Sequence, residues 1–387
     1  MSVWDRVVGQ EPVIAELSRA VAGAPESRAM THAWLITGPP GSGRSVAAEA
    51  FATALVCPDG GCGVCNSCVS VAAGRHSDVA VVRPAGVIMG VDQTRALVSR
   101  ISVMPARSDW NVVVIEDADR LNEHADNALL KSLEEPPDHG VWILCAPSAD
   151  DVLPTIRSRC RVVRLRTPPI DEVARFLAQS HGADPALAAY AARSAQGHIG
   201  RARALALDPE ARRAHQNVLH LPQRLGSVAA CMAAAGDLVS AARSRAEAIA
   251  EPLDAAEEGD LLRAFGDGAT GAGSARGRAG TALKELEREQ RNRRRRLVRD
   301  ELDRVLVDLQ GLYRDVLAVA VGAEVPLINE EARAEVERLA AGSDGAGVLE
   351  RLDAIARARR AVASDGSEDL VLAELALALQ RPPTERR

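Results

Sequence analysis

The chain has 387 residues, with 47 Lys and Arg against 53 Asp and Glu for a formal charge of −6, and an aromatic share of 2%. Such a length holds two or three domains with substantial cores, while the net negative charge gives no electrostatic reason to coat nucleic acid and the few rings leave little to stack on bases. There is no long uncharged apolar run, basic-then-apolar leader or lipidation signal, so the sequence reads as a soluble, cytoplasmic protein without a membrane partner.

The first predicted strand, Ala33 to Thr37, runs into Gly38-Pro39-Pro40-Gly41-Ser42-Gly43-Arg44-Ser45, and a helix is expected from Ser45 to Val56. Strand, glycine loop and helix are the context of a phosphate-binding loop, G-x-x-x-x-G-K-[ST], whose backbone N–H groups wrap phosphates while its lysine reaches the β/γ oxygens. Arg44 stands where the lysine belongs. A planar guanidinium is bulkier than an ammonium and does not replace it at a tight site. Lysine is scarce throughout, with only Lys131 and Lys284, yet a lysine needed for phosphoryl chemistry should resist a drift to arginine. Gly38, Gly41, Gly43, Arg44 and Ser45 therefore read as a degenerate nucleotide site with weak or absent turnover and doubtful use of ATP and Mg2+.

Next come Cys57, Cys62, Cys65 and Cys68, four of the seven cysteines within twelve residues. Four thiolates in a short glycine-containing turn can close a tetrahedron around zinc, and a filled four-sulfur shell is structural rather than catalytic.

A second apolar strand, Asn111 to Ile115, ends in Glu116 and Asp117, a third covers Val141 to Ala146 and a fourth Val162 to Leu165, with helical segments between them. This alternation predicts a parallel sheet in an α/β domain reaching about residue 168. Acids after a strand suit a second nucleotide motif, one carboxylate helping to hold magnesium and the other polarising water. The usual order is Asp then Glu, and here it is reversed; a solvated acidic loop is the alternative. Ser158-Arg159-Cys160 precedes the fourth strand; with Arg157 and Arg161 beside it a solvated basic turn is the default reading, and its place at a rigid strand entry gives the alternative of an arginine reaching a neighbour's γ-phosphate.

Thr167-Pro168-Pro169 breaks the pattern. Ile170 to Gln179, Pro185 to Ser194 and Gly200 to Leu207 read as three helices of a small unit, 169–208. From 209 to 387 the pattern is helical, interrupted by a low-complexity stretch, Gly266 to Gly280, expected to be a flexible loop, and ending in a frayed tail from Arg381. Thr281 to Val321 suits one long helix or two, stopped by Gly322, with Leu297, Leu302, Val305, Leu306, Leu309, Leu312 and Val316 on one stripe. The run Arg291 to Arg296 lies among acids, and the i,i+4 pairs Glu287 with Arg291 and Glu289 with Arg293 favour a solvated or partner-facing helix over a DNA contact.

In this order the motifs resemble the delta-prime family of bacterial replicative clamp-loader subunits, within the AAA+ superfamily. The matching points are Val8-Gly9-Gln10, the loop Gly38 to Ser45, the four cysteines, His76-Ser77-Asp78 and Val91-Asp92-Gln93-Thr94-Arg95. Further along come Asn127-Ala128-Leu129-Leu130-Lys131 with Leu133-Glu134-Glu135-Pro136-Pro137, and Leu153-Pro154-Thr155-Ile156-Arg157-Ser158-Arg159-Cys160, so the resemblance covers about the first 200 residues. It implies an AAA+ P-loop domain over 1–168 with a zinc-binding insertion at 57–68, a helical lid over 169–208 and an all-α collar over 209–387 through which subunits form a ring. It also implies a rigid stator of the DNA polymerase III clamp loader that lends Arg159 in trans to a neighbouring ATPase subunit. The implied partners are the gamma/tau ATPase subunits, the delta subunit, the sliding clamp and primer–template DNA held by the assembled complex. Where hydrolysing relatives end a strand on a polar, water-orienting residue this chain has Cys145, Ala146 and Pro147, and the lid retains Arg201 near where relatives sense phosphate. Two rivals stay open: a motor ATPase of the gamma/tau type, and a zinc-containing nucleic-acid-binding module.

Overall fold

Five short strands with helices between them organise the first half of the chain. In order they are α1 (Glu11–Ala22), β1 (Ala33–Thr37), α2 (Arg44–Val56), α3 (Asn66–Ala72), β2 (Val79–Val82), α4 (Val91–Ile101), β3 (Asn111–Ile115), α5 (Glu123–Glu134), β4 (Gly140–Ala146), α6 (Pro154–Arg157) and β5 (Arg161–Arg164). Helices α7 (Ile170–His181), α8 (Pro185–Ser194) and α9 (Ile199–Leu207) complete a unit spanning Met1–Leu207. The computed structural model describes residues 2–23, 29–83, 89–121, 123–265, 274–364 and 366–380.

All strand pairs are parallel, in the order β2-β3-β4-β1-β5. β1, β3 and β4 are buried along their whole length, as a parallel sheet covered on both faces requires. Because side chains alternate across a strand, Trp34, Ile36, Val112, Val114, Ile143 and Cys145 pack with α1, α2 and α3 on one face. Leu35, Val113, Ile115, Trp142 and Leu144 pack on the other with Leu97 and Ile101 of α4 and Leu129 and Leu133 of α5. This is the expected α/β architecture, a parallel sheet with helices on both faces. β2, which the apolar pattern does not reveal, is a four-residue strand at the sheet edge with only one buried side chain. Helices α7 to α9 share their own small core, built on Val173, Leu177, Ala191 and Leu205.

The second unit, Asp208–Arg387, is all helical among its described residues. It contains α10 (Pro209–Leu219), α11 (Val228–Phe265), α12 (Ser274–Ala320), α13 (Arg333–Ala341), α14 (Gly345–Ala363) and α15 (Glu368–Gln380). The expected apolar stripe is buried: Leu302, Leu306, Leu309, Leu312 and Val316 have no exposed surface and form the spine of the core. α12 is a single helix, and Gly322 just beyond it adopts φ +69°, a conformation that favours glycine, as its amide bonds back to Val319. Of the low-complexity stretch expected to be a loop, 266–273 lies outside the described residues, as does the tail 381–387, while 274–280 corrects the expectation by forming the first turns of α12. Ala275, Arg276, Arg278 and Ala279 are strong helix formers, and extending an existing helix adds a hydrogen bond per residue, which outweighs the roughly 1 kcal/mol cost of each glycine.

Candidate functional site

The phosphate loop leaves β1 at its C-terminal end and enters α2, whose N-cap is Gly43 at φ +92°. An anion would be held there by the free amides of the first helical turn. Two features occupy the loop instead. The Arg44 guanidinium turns back and donates to the carbonyl of Gly38 in the same loop. The chain around α9 closes over it: the Ile199 amide donates to the Gly41 carbonyl at 3.3 Å, and a β-carbon on Gly41, itself at φ +82°, would lie 2.1 Å from the His198 ring. Arg201, the expected phosphate sensor, is buried within α9 with its amide donating to His198 Nδ1.

The sheet order brings the ends of β3 and β4 beside that of β1, so Glu116, Asp117 and Cys145 converge near the loop. Glu116 is buried, and its carboxylate accepts from Arg83 Nε at 2.7 Å. Arg83 lies just after the edge strand β2 and has no sequence motif to announce it. Asp117 sits at φ +52° and faces Arg120 at 3.8 Å. Cys145 has its Sγ 4.0 Å from the Arg44 carbonyl, and burial pushes its thiol well above the ordinary range. Each acid thus has a cationic neighbour from its own chain, and the strand-end position offers a neutral thiol.

Arg159 lies elsewhere. It precedes β5, where Arg161 is level with Trp34 of β1, whereas the phosphate loop follows Thr37 at the other end of β1. The two are separated by roughly 13 Å of parallel strand, about four residues. Arg159 donates to the Thr155 carbonyl at 2.8 Å and to Glu134 at 2.6 Å, with 35% of its side chain exposed. Arg157 and Arg161 on either side are each tied down, to Asp150 and to Glu16. Glu134, from the Glu-Glu-Pro-Pro segment at the end of α5, is a second residue that no spacing argument assigns to this place.

Between α2 and α3 the chain folds back so that Cys57, Cys62, Cys65 and Cys68 come together, their sulfurs all within 4.8 Å of one another. Sγ–Sγ separations of 3.7 Å (57–62), 3.6 Å (57–65), 4.0 Å (62–68) and 3.5 Å (65–68) compare with about 3.8 Å across a tetrahedron of 2.3 Å zinc–sulfur bonds. Amides of Cys62, Gly63 and Cys65 point at Cys57, Cys68 and Cys62, 3.3 to 3.4 Å away, which favours thiolates. Burial opposes ionisation of Cys57, but amides of Cys62, Gly61 and Asp59 hold its thiol down at about 7, whereas burial pushes Cys68 up. The donor set fits a closed, structural zinc site. Its glycine turn is tied to the N-terminus by the Val3 amide and Ser2 hydroxyl on the Gly61 carbonyl, both at 3.0 Å, and by Trp4 Nε1 on Gly60 at 3.3 Å.

Comparison with known proteins locates this combination. Residues 9–169 match the family described as DNA polymerase III, delta subunit. A 178-residue segment is 38% identical to the gamma/tau subunit of DNA polymerase III from Mycobacterium tuberculosis, covering 45% of this chain and 30% of that protein. Another of 135 residues is 42% identical to the delta' subunit from Pseudomonas aeruginosa, covering 33% of this chain and 41% of that one. The chain spans less than half the length of these curated relatives. Among solved structures, a gamma subunit-related protein of Thermotoga maritima aligns over 95% of this chain and 99% of its own at 17% identity and a TM-score of 0.43, too loose a likeness to carry an argument. No helix among the described residues is long and apolar enough to cross a membrane. On the family match and these identities, the N-terminal region of the chain, residues 9–169, is similar to the gamma/tau and delta' subunits of DNA polymerase III.

Proposed function

We propose that this chain is the non-motor, delta-prime-type member of its clamp loader: it helps load the sliding clamp onto primed DNA and lends Arg159 to the ATP site of a neighbouring subunit. The observation that carries this reading is the engagement of Arg44 by its own loop, supported by the salt bridge of Glu116 to Arg83 and by Cys145 at the water-orienting position. With its cation turned onto Gly38 and one acid neutralised from within, the site has little left with which to position Mg2+ and a γ-phosphate. Arg159, a strand length from that loop, cannot serve its own site. In an assembled ring it exchanges Glu134 for a partner's γ-phosphate, a charge-assisted contact that strengthens as negative charge builds in the transition state. The zinc is structural and holds the turn at 57–68; the helices of 169–208 act as a lid, and 209–387 as the collar that joins the gamma/tau and delta subunits.

The test is reconstitution with the ATPase and delta subunits, comparing clamp- and DNA-dependent turnover for the native chain and Arg159→Ala. A loss on the order of a thousandfold at the one site served is expected, with assembly intact. Unchanged turnover would remove the in-trans role. Similarity to gamma/tau subunits over a longer segment than to delta' favours the motor ATPase as second reading. Tight, magnesium-dependent ATP binding with steady hydrolysis by the chain alone would decide for it.

A further inference from the structure

The arginine run of α12 is divided by the fold into two faces with different neighbours. Towards α11 it is consumed: Arg293 donates to both carboxylate oxygens of Glu257 at 2.6 and 2.7 Å, Arg294 pairs with Asp254 at 2.8 Å, and buried Gln290 donates to the Asp254 carbonyl at 3.2 Å. Arg293 therefore turns to α11 rather than to Glu289, the partner its spacing favours. These contacts join the two helices with polar groups. Among the described residues the hydrophobic core of the unit draws on α12 only from Leu297 onward, so the described turns before it extend beyond that core as an arm.

On the far side of the arm stand Lys284, Arg288, Arg291 and Arg295, all exposed. At 3.6 residues per turn, steps of four, three and four keep them within about 60° of arc along some 16 Å of helix. Among the described residues Lys284, Arg288 and Arg295 have no ion pair, and Arg291 is touched only by Glu287 at 3.7 Å from the flank of the stripe. No other acid of α12 falls within that arc. Nor does an exposed apolar side chain: Leu283 lies about a third of a turn away, so the stripe lacks the apolar anchor with which a protein partner would dock.

We propose that this stripe is a binding site for the phosphate backbone of nucleic acid, read by charge and without base recognition. Four cations over some 16 Å face about five phosphates of one strand over the same length. The inference builds on the clamp-loader reading only in taking DNA as the partner. The chain's overall acidity keeps the contact local, so that this arm grips a backbone while the rest of the surface repels it.

The experiment is fluorescence anisotropy of a labelled 30-base-pair duplex with the full chain between 25 and 150 mM salt, without ATP or other subunits. A failed reconstitution of the clamp loader therefore leaves this result standing, and the reverse holds too. The expected slope of log affinity against log salt is about −3.6, for four phosphates neutralised at about −0.9 each. It should flatten towards zero in Lys284→Ala/Arg288→Ala/Arg291→Ala/Arg295→Ala, and each single alanine should reduce it by about one. The charge-keeping Arg288→Lys/Arg291→Lys/Arg295→Lys variant should bind within a few-fold of the native chain, which separates lost charge from lost fold. Equal affinity and slope for native chain and quadruple alanine variant, or no binding at 25 mM salt, would overturn the proposal. So would capture of a polyglutamate peptide through these residues with no binding of duplex, which would point to an acidic protein instead.

Discussion

Substituting Asp78 by Asn tests how the edge of the sheet is held. The Asp78 carboxylate is 3% exposed and accepts five hydrogen bonds. Oδ1 takes Ser77 Oγ and the Ala106 amide, both at 2.8 Å; Oδ2 takes the Arg107 amide at 2.8 Å and the amide and hydroxyl of Ser108 at 2.9 Å. Burial alone would raise its pKa, but these donors, the Ala106 amide foremost, hold it down at about 2. Asparagine in its better orientation puts its NH2 group in the place of Oδ1, leaving the Ala106 amide unsatisfied at about 1 to 3 kcal/mol, and its neutral oxygen weakens the charge-assisted bonds from Arg107 and Ser108. A cost of about 3 kcal/mol follows. Proton linkage independently assigns the charge about 2 kcal/mol, from a fall of nearly two units at 1.36 kcal/mol each. Since the folded pKa is depressed, this stabilisation is complete above the unfolded value of 3.8 and is lost as pH falls through about 2. The gap between native and variant should therefore be about 1 kcal/mol smaller at pH 3 than at pH 7. Urea unfolding followed by tryptophan fluorescence measures it cleanly, because Trp4, Trp34, Trp110 and Trp142 all lie in the Met1–Leu207 unit. A gap below about 0.5 kcal/mol, or one identical at both pH values, would refute the reasoning.

Two further outcomes follow from the geometry. The chain should take up one zinc per molecule with release of protons, more weakly as pH drops below the Cys57 value of about 7, and Cys65→Ser should abolish stoichiometric binding; zinc analysis and competition with a chromogenic chelator measure both. Asp315, with no exposed surface, accepts from the Ile328 amide at 3.0 Å and from the amide and side chain of Asn329 at 2.8 and 3.1 Å. Asp315→Ala should destabilise the C-terminal unit by about 3 kcal/mol, read as a lowered thermal midpoint by circular dichroism with tryptophan-detected unfolding unchanged.

Local patterns carried much of this protein's architecture on their face. Short apolar runs marked β1, β3 and β4, because a parallel strand buried on both sides must be largely apolar. The cysteine cluster was legible for a similar reason: its four ligands lie within one turn, so close spacing in the chain enforces closeness in space. The Leu302 to Val316 stripe foretold a packed helix through its period of three and four.

Contacts between distant segments were decided only by the tertiary structure. Nothing near Glu116 in the chain announces Arg83, 33 residues earlier, which reaches it only because β2 lies beside β3. Likewise Glu134 meets Arg159 because α5 packs against α6, and His198 covers Gly41 because the chain entering α9 returns to the phosphate loop. The arginine run shows the limit most plainly. Helical spacing offered Glu289 to Arg293, but on α11 Glu257 at 2.6 Å and the buried Asp254 at 3.4 Å together make a better site than one solvated acid a turn away, since less water competes for the charge. Which arginines are consumed and which remain for a ligand is thus set by the pairing of two helices, a relation that no single stretch of chain encodes.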